Sequence, residues 1–204
     1  MTTNDFWNII DQARPDSCDI GKFNQNLMRL LESLPDEDLL YFHYFFEMYE
    51  CTVIASPNKL IWPALSLVYG GRHAYNTYGF ADWLILQGKS KYLAVLHDAD
   101  RLSDTEAAPN YCSGSLKGHE HEYPEQHYLA SRIYCKRKCI GIRAFKKIAD
   151  EFAQKANIEW QDVRQRELNI PTRQYDRDWT LEDLAAVLPN TYRKYIMFER
   201  WVWD

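Results

Sequence analysis

The side chains best suited to hold a metal in this 204-residue chain are Cys112, His119, His121, His127, Cys135 and Cys139. Zinc takes four nitrogen or sulfur ligands in a tetrahedron, and Cys135-x3-Cys139 on a helix would put two thiols on one face about a turn apart. His119-x-His121 stands in a polar stretch long enough to fold back towards them. Three features count against the site. The separations match no standard zinc pairing, His121 lies between Glu120 and Glu122, and both C-terminal thiols sit among Arg and Lys. A zinc-dependent enzyme or a zinc-stabilised nucleic-acid adaptor is therefore the alternative reading, and no cofactor is expected.

Carboxylates offer a second chemistry. Asp98, Asp100, Asp104 and Glu106 superficially resemble a calcium loop. Counted from Asp98, however, the glycine required at the sixth position and the glutamate at the twelfth are missing. No nucleophile elbow, phosphate loop or dinucleotide fingerprint is present. Gly70-Gly71-Arg72 reads as a helix stop, and His43 as a core histidine in an apolar helix. The basic run Lys136-Arg137-Lys138, continued by Arg143, Lys146 and Lys147, reads as the solvated side of an amphipathic helix balanced by Asp150 and Glu151.

Composition favours binding over catalysis. The net charge of −5 makes a polyanion a poor partner, so no nucleic acid is expected. Aromatic residues make up 15% of the chain, with 14 Tyr and 7 Trp, and such rings suit both cores and protein interfaces. The first residues show no basic region leading into an apolar run, and no apolar segment approaches the ~18 residues needed to span a bilayer. With five scattered cysteines, an odd number, the expectation is a reduced, cytoplasmic protein with no membrane association.

Hydrophobic spacing places these groups on helices. Thr3 or Asn4 caps a first helix carrying Phe6, Ile9, Ile10 and Ala13. Phe23, Leu27, Leu30, Leu31 and Leu34 recur at intervals of three and four. After Pro35, three acids open a third helix that is apolar over most of its girth. Ser56-Pro57 predicts the start of a fourth, and Gly88 the end of a fifth. Residues 98–122 read as a long surface loop. Pro124 opens one long helix through Phe152, bent at Gly141, and 157–179 reads as an irregular connection. Thr180 with Asp183 predicts a cap for a last helical stretch.

Phe6-Trp7, Leu34-Pro35, Trp62, Gly70-Gly71, Phe80, Trp83-Leu84-Ile85, Gln87-Gly88, Tyr92 and the run Asp98–Leu102 together resemble the bacterial family called domain of unknown function 4240. Pro189 with Tyr192 and Tyr195 resembles its closing motif. One departure is Asp82, where the family usually carries arginine. The resemblance implies no catalytic residues. It does imply kinship with small cytosolic proteins encoded beside secreted toxins, where immunity factors are common.

The expected fold is mainly α, a single domain over 1–204 with about seven to nine helices. Residues 4–103 form a family-like helical core, and 104–204 supply the long helix, the irregular connection and the C-terminal helices. The expected function is that of a non-enzymatic immunity protein. It would occlude the cleft of a cognate toxin, such as a nuclease or ADP-ribosyltransferase, through Asp98, Asp100, Asp104, Glu106, Glu120 and Glu122. Oligomeric state is left open.

Overall fold

The computed structural model describes residues 1–14, 20–68, 77–105, 126–174 and 180–196, and the fold is mainly α. Helix α1 (Thr3–Ala13) is started by a capping box in which the Thr2 hydroxyl accepts from the Asp5 amide and the Asp5 carboxylate answers the Thr2 amide. Its buried face, Phe6, Trp7, Ile9, Ile10 and Ala13, matches the spacing of the sequence. Helix α2 (Ile20–Glu32) buries Phe23, Leu27 and Leu31. Helix α3 (Asp36–Ile54) is the centre of the molecule and packs against α1 and the helices Thr77–Leu86, Gln126–Lys138 and Ile142–Val163, which explains why its apolar residues run almost all the way round.

Aromatic rings fill the space where these helices meet. Phe6 lies 5.0 Å from Phe42 and is stacked on Tyr49 at 5.2 Å, while Trp7 reaches Tyr49 at 4.6 Å and Tyr92 at 5.2 Å between ring centres. The Tyr92 hydroxyl donates to the Tyr49 carbonyl at 2.7 Å, which satisfies that fully buried phenol. Much of the high aromatic content is thus core.

Helix α4 (Ile61–Val68) begins later than Ser56-Pro57 suggests. Ser56 is buried and its hydroxyl accepts from the Asn58 amide, while Asn58 supplies the acceptors for Leu60 and Ile61. The local side-chain bonds favour a turn over another helical turn there. Helix α5 (Thr77–Leu86) ends as expected before Gly88, whose φ of +85° opens α6 (Lys89–His97). That positive φ accounts for glycine at this crossing, where an added side chain would also press on the Asp11 and Arg14 side chains. A short 3-10 turn, Ala99–Asp104, follows.

The expected long helix from Pro124 is two helices, α7 (Gln126–Lys138) and α8 (Ile142–Val163). The break is a Schellman-type stop: Cys139 takes a left-handed φ of +53° and the Ile140 amide donates back to Cys135 at 3.1 Å. Gly141 is not a bend inside a helix but the residue before α8, whose carbonyl accepts from Ala144 and Phe145. Helix α8 also runs well into the stretch expected to be irregular, because Phe145, Ile148, Phe152, Ala156, Trp160 and Val163 continue one buried stripe. A π-turn (Arg164–Leu168) ends it. Helices α9 (Leu181–Val187), with the expected Thr180–Asp183 capping box, and α10 (Pro189–Ile196) complete ten α-helices among the described residues. No helix of the described residues is long and apolar enough to cross a membrane.

Candidate functional site

The sequence-predicted acids divide into those turned inward and those facing water. Asp100 is corrected from a partner-facing residue to a structural one. It is 8% exposed, and its carboxylate accepts from the backbone amides of Asn190 at 3.0 Å and Thr191 at 2.8 Å and from the Asn190 side-chain amide at 2.7 Å. Those amides are the open N-terminus of α10, so Asp100 caps a helix 90 residues away and complements its dipole. Lys194 ties the other end of the turn by donating to the carbonyls of Ser103 at 2.6 Å and Thr105 at 2.7 Å. Asp98 and Asp104 do face solvent, but both flank Arg101, at 4.0 and 3.0 Å. Much of the turn's negative charge is answered locally. Glu106, Glu120 and Glu122 lie outside the described residues.

Of the metal candidates, Cys112, His119 and His121 lie outside the described residues, as does the side chain of His127. Cys135 is half-buried against the core, where burial pushes its thiol up from the ordinary range. Cys139 is exposed at the turn between α7 and α8. Among the described residues no three His, Cys, Asp or Glu side chains come together in a way that would hold a metal ion. Two cations of the basic run, Arg137 and Lys138, are committed as well. Arg137 donates to the carbonyls of Leu34 and Glu32, and both Arg137 and Lys138 pair with Asp36, which holds the Asp36 carboxyl below its usual range. These cations clamp the α2–α3 corner.

The feature that sequence reading missed is a groove of about 610 Å³ between the C-terminal half of α3 and the end of α8 with its π-turn. Met48, Trp160 and Leu168 form its apolar part. Trp160 is held edge-on to Tyr49, 5.0 Å between ring centres. Four amide side chains, Asn157, Gln161, Gln165 and Asn169, repeat every fourth residue along the other wall, with Arg164 among them. All five are exposed and none makes a side-chain hydrogen bond or ion pair among the described residues. The i, i+4 amide repeat is legible in the sequence, but only the fold shows that α3 faces it.

The groove is anchored from outside. The His97 Nε2–H donates to the Leu168 carbonyl at 2.6 Å, which also fixes the imidazole tautomer. The Arg173 amide donates to Pro57 at 3.1 Å and the Lys59 amide to Arg173 at 2.8 Å. Lys89 pairs with Glu167 at 3.0 Å. A π-turn is a rare conformation that recurs at functional positions, and here it sets the direction in which Arg164 and Gln165 leave the helix. Asn169, at φ +28°, then turns the chain. Cys51 also lines the groove, but burial, with the carboxylate of Glu47 adding to it, pushes its thiol up and makes it a poor nucleophile.

Behind the groove, Glu50 of α3 and Asp82 of α5 face each other in the core, 5% and 1% exposed. Burial pushes the Glu50 carboxyl up to about 8, with Asp82 adding to the rise, which favours its neutral form. Acids inside apolar helices are the sequence signal for this pair.

The family described as "Protein of unknown function (DUF4240)" matches residues 1–136, two thirds of the chain. The chain belongs to that family. The match takes in α1–α6, the 3-10 turn and most of α7, and hence the α3 wall of the groove, while the α8 wall lies beyond it. No curated protein and no solved structure matches the chain.

Proposed function

We propose that this chain is a binding protein that grips a partner polypeptide on a preformed surface, and that its task is to neutralise a cognate antibacterial toxin. The observation that supports the reading is the anchored groove, in which a guanidinium and four amides face solvent around an apolar floor. A backbone frame held before association spares the cost of ordering the main chain, while Arg164 and the amide side chains lose rotamer freedom when they bind. Neutralisation of an enzyme by occlusion needs roughly 1,200–2,000 Å² of total buried surface. The groove serves as its centre, and the exposed carboxylates of Asp98 and Asp104 add negative charge at the 3-10 turn. Rim charges mainly set the association rate, and well-packed central contacts the dissociation rate.

Co-expression tests the proposal. Growth of a sensitive host carrying the toxin encoded next to this chain is restored by the intact chain, and the two proteins co-purify. Failure of every adjacent toxin candidate to be rescued removes the immunity reading.

A further inference from the structure

Starting from the binding-protein reading, we infer that the groove between α3 and α8 takes an extended polypeptide segment, with one carboxylate of that segment against Arg164 and an apolar side chain on the Met48–Trp160–Leu168 floor. Three observations converge on this ligand class.

The first is spacing. Residues four apart on a helix are separated by ~6 Å along its axis. Asn157, Gln161 and Gln165 therefore present amide groups at nearly the interval at which an extended chain presents the same face, ~6.6–6.8 Å per two residues. Each amide carries both a donor and an acceptor, as each peptide group does, so one ladder can pair with successive backbone units whatever the sequence.

The second is charge. Among the described residues, Arg164 is the only charged side chain lining the groove, and it makes no ion pair or hydrogen bond there. Its planar fork suits a carboxylate held by two parallel hydrogen bonds. One cation matches one carboxylate. A nucleic-acid strand carries a phosphate on every nucleotide and would want basic groups repeated along the groove, which amides occupy instead.

The third is the floor. Met48, Trp160 and Leu168, with Ala55, Pro57 and Ile170, give the groove its apolar lining. Methionine adapts to varied shapes and tryptophan offers a rigid face, a combination that accepts one large aliphatic or aromatic side chain. The volume of about 610 Å³ falls in the usual range of ligand pockets, and the hydrogen bonds to Leu168 and Arg173 hold the wall in place before anything binds.

The test is selection of peptides from random seven-residue display libraries, one with free and one with blocked C-termini, against the full chain, followed by calorimetry on the selected synthetic peptides. The expected result is a shared carboxylate, from Asp, Glu or the free C-terminus, at fixed spacing from a large apolar residue. Arg164→Ala weakens these peptides at least tenfold. Gln165→Glu, which sets a like charge beside the ligand carboxylate, weakens them by a similar factor, and both variants keep the parent's urea midpoint. The inference is overturned if no sequence is enriched over an empty-bead control, or if the selected peptides bind the Arg164→Ala variant as well as the parent. It is also overturned if octathymidylate or citrate binds the groove more tightly than the peptides in an Arg164-dependent way. Toxin rescue that survives both groove variants, with no peptide selected, removes the groove and leaves the immunity reading. Selected peptides without toxin rescue do the reverse.

Discussion

The 3-10 turn at Ala99–Asp104 and the groove beside the π-turn at Arg164–Leu168 are both polar corners, and they treat their polar groups in opposite ways. In the turn, Asp100 and Lys194 reach inward to backbone groups, and Arg101 lies between Asp98 and Asp104. In the groove, Arg164 and the amide ladder meet nothing but solvent among the described residues, while the backbone beneath them is tied down by His97 and Arg173. Polar side chains that the fold itself satisfies are part of its architecture. Those left unsatisfied on a firmly held frame are the ones available to a partner. By that criterion the carboxylates most conspicuous in the sequence are the weaker functional candidates, and the plain amides of α8 the stronger.

The largest expected effect lies in the turn. Asp100→Ala leaves the N-terminus of α10 without its acceptor inside a buried corner, and should cost about 2–3 kcal/mol in urea unfolding, combining a lost helix cap with charged hydrogen bonds. Binding of groove-selected peptides should not change. A loss of binding without loss of stability would reverse the roles assigned to the two regions.

Glu50 gives the next effect, and it depends on pH. Its carboxyl titrates near 8 in the folded chain but near 4.5 when exposed, so the folded state holds the extra proton between those values. Stability from this group is therefore complete below about pH 4.5 and is lost as pH rises towards 8. Glu50→Gln should flatten that decline, making the variant more stable than the parent by about 1–3 kcal/mol above pH 8, the order of the cost of an unsatisfied buried group. Urea midpoints measured at pH 5, 7 and 9 check this. An unchanged slope would show that the Glu50–Asp82 pair is not the source.

Cys139 separates architecture from metal chemistry. Its left-handed backbone is a conformation that glycine adopts without strain, so Cys139→Gly should raise stability by about 0.5–1 kcal/mol. If Cys139 were instead a zinc ligand, the same change would lower the melting temperature and release metal. The smallest stability effects belong to the exposed groups. Gln161→Ala and Asp104→Asn should each stay within about 0.5 kcal/mol of the parent, as for most surface positions and exposed ion pairs. Only Gln161→Ala should weaken peptide binding.

Much of the helical order could be read from residue spacing. Phe6, Ile9, Ile10 and Ala13 mark α1, the three acids after Pro35 mark the start of α3, and Thr180 with Asp183 marks that of α9, because caps and buried stripes are local properties. The reading failed where two local signals competed. Gly141 predicts a bend within one long helix, yet it is Cys139 that turns left-handed and divides α7 from α8, and nothing in its side chain announces that. The extension of α8 was hidden because its exposed face is so polar that the stripe through Ala156, Trp160 and Val163 is interrupted by charge and amide. Of the candidate site, the amide repeat was present in the sequence but had no meaning without α3 opposite.

The sequence by itself determined an α-helical chain with an aromatic core, because helix periodicity, caps and proline or glycine stops act over a few residues. Only the tertiary structure decided which polar groups are satisfied and which are free. Asp100 meets α10 across 90 residues, and the groove joins Met48–Pro57 to Asn157–Ile170. A polar side chain's availability depends on what the chain brings to it from far away, and that is settled by packing.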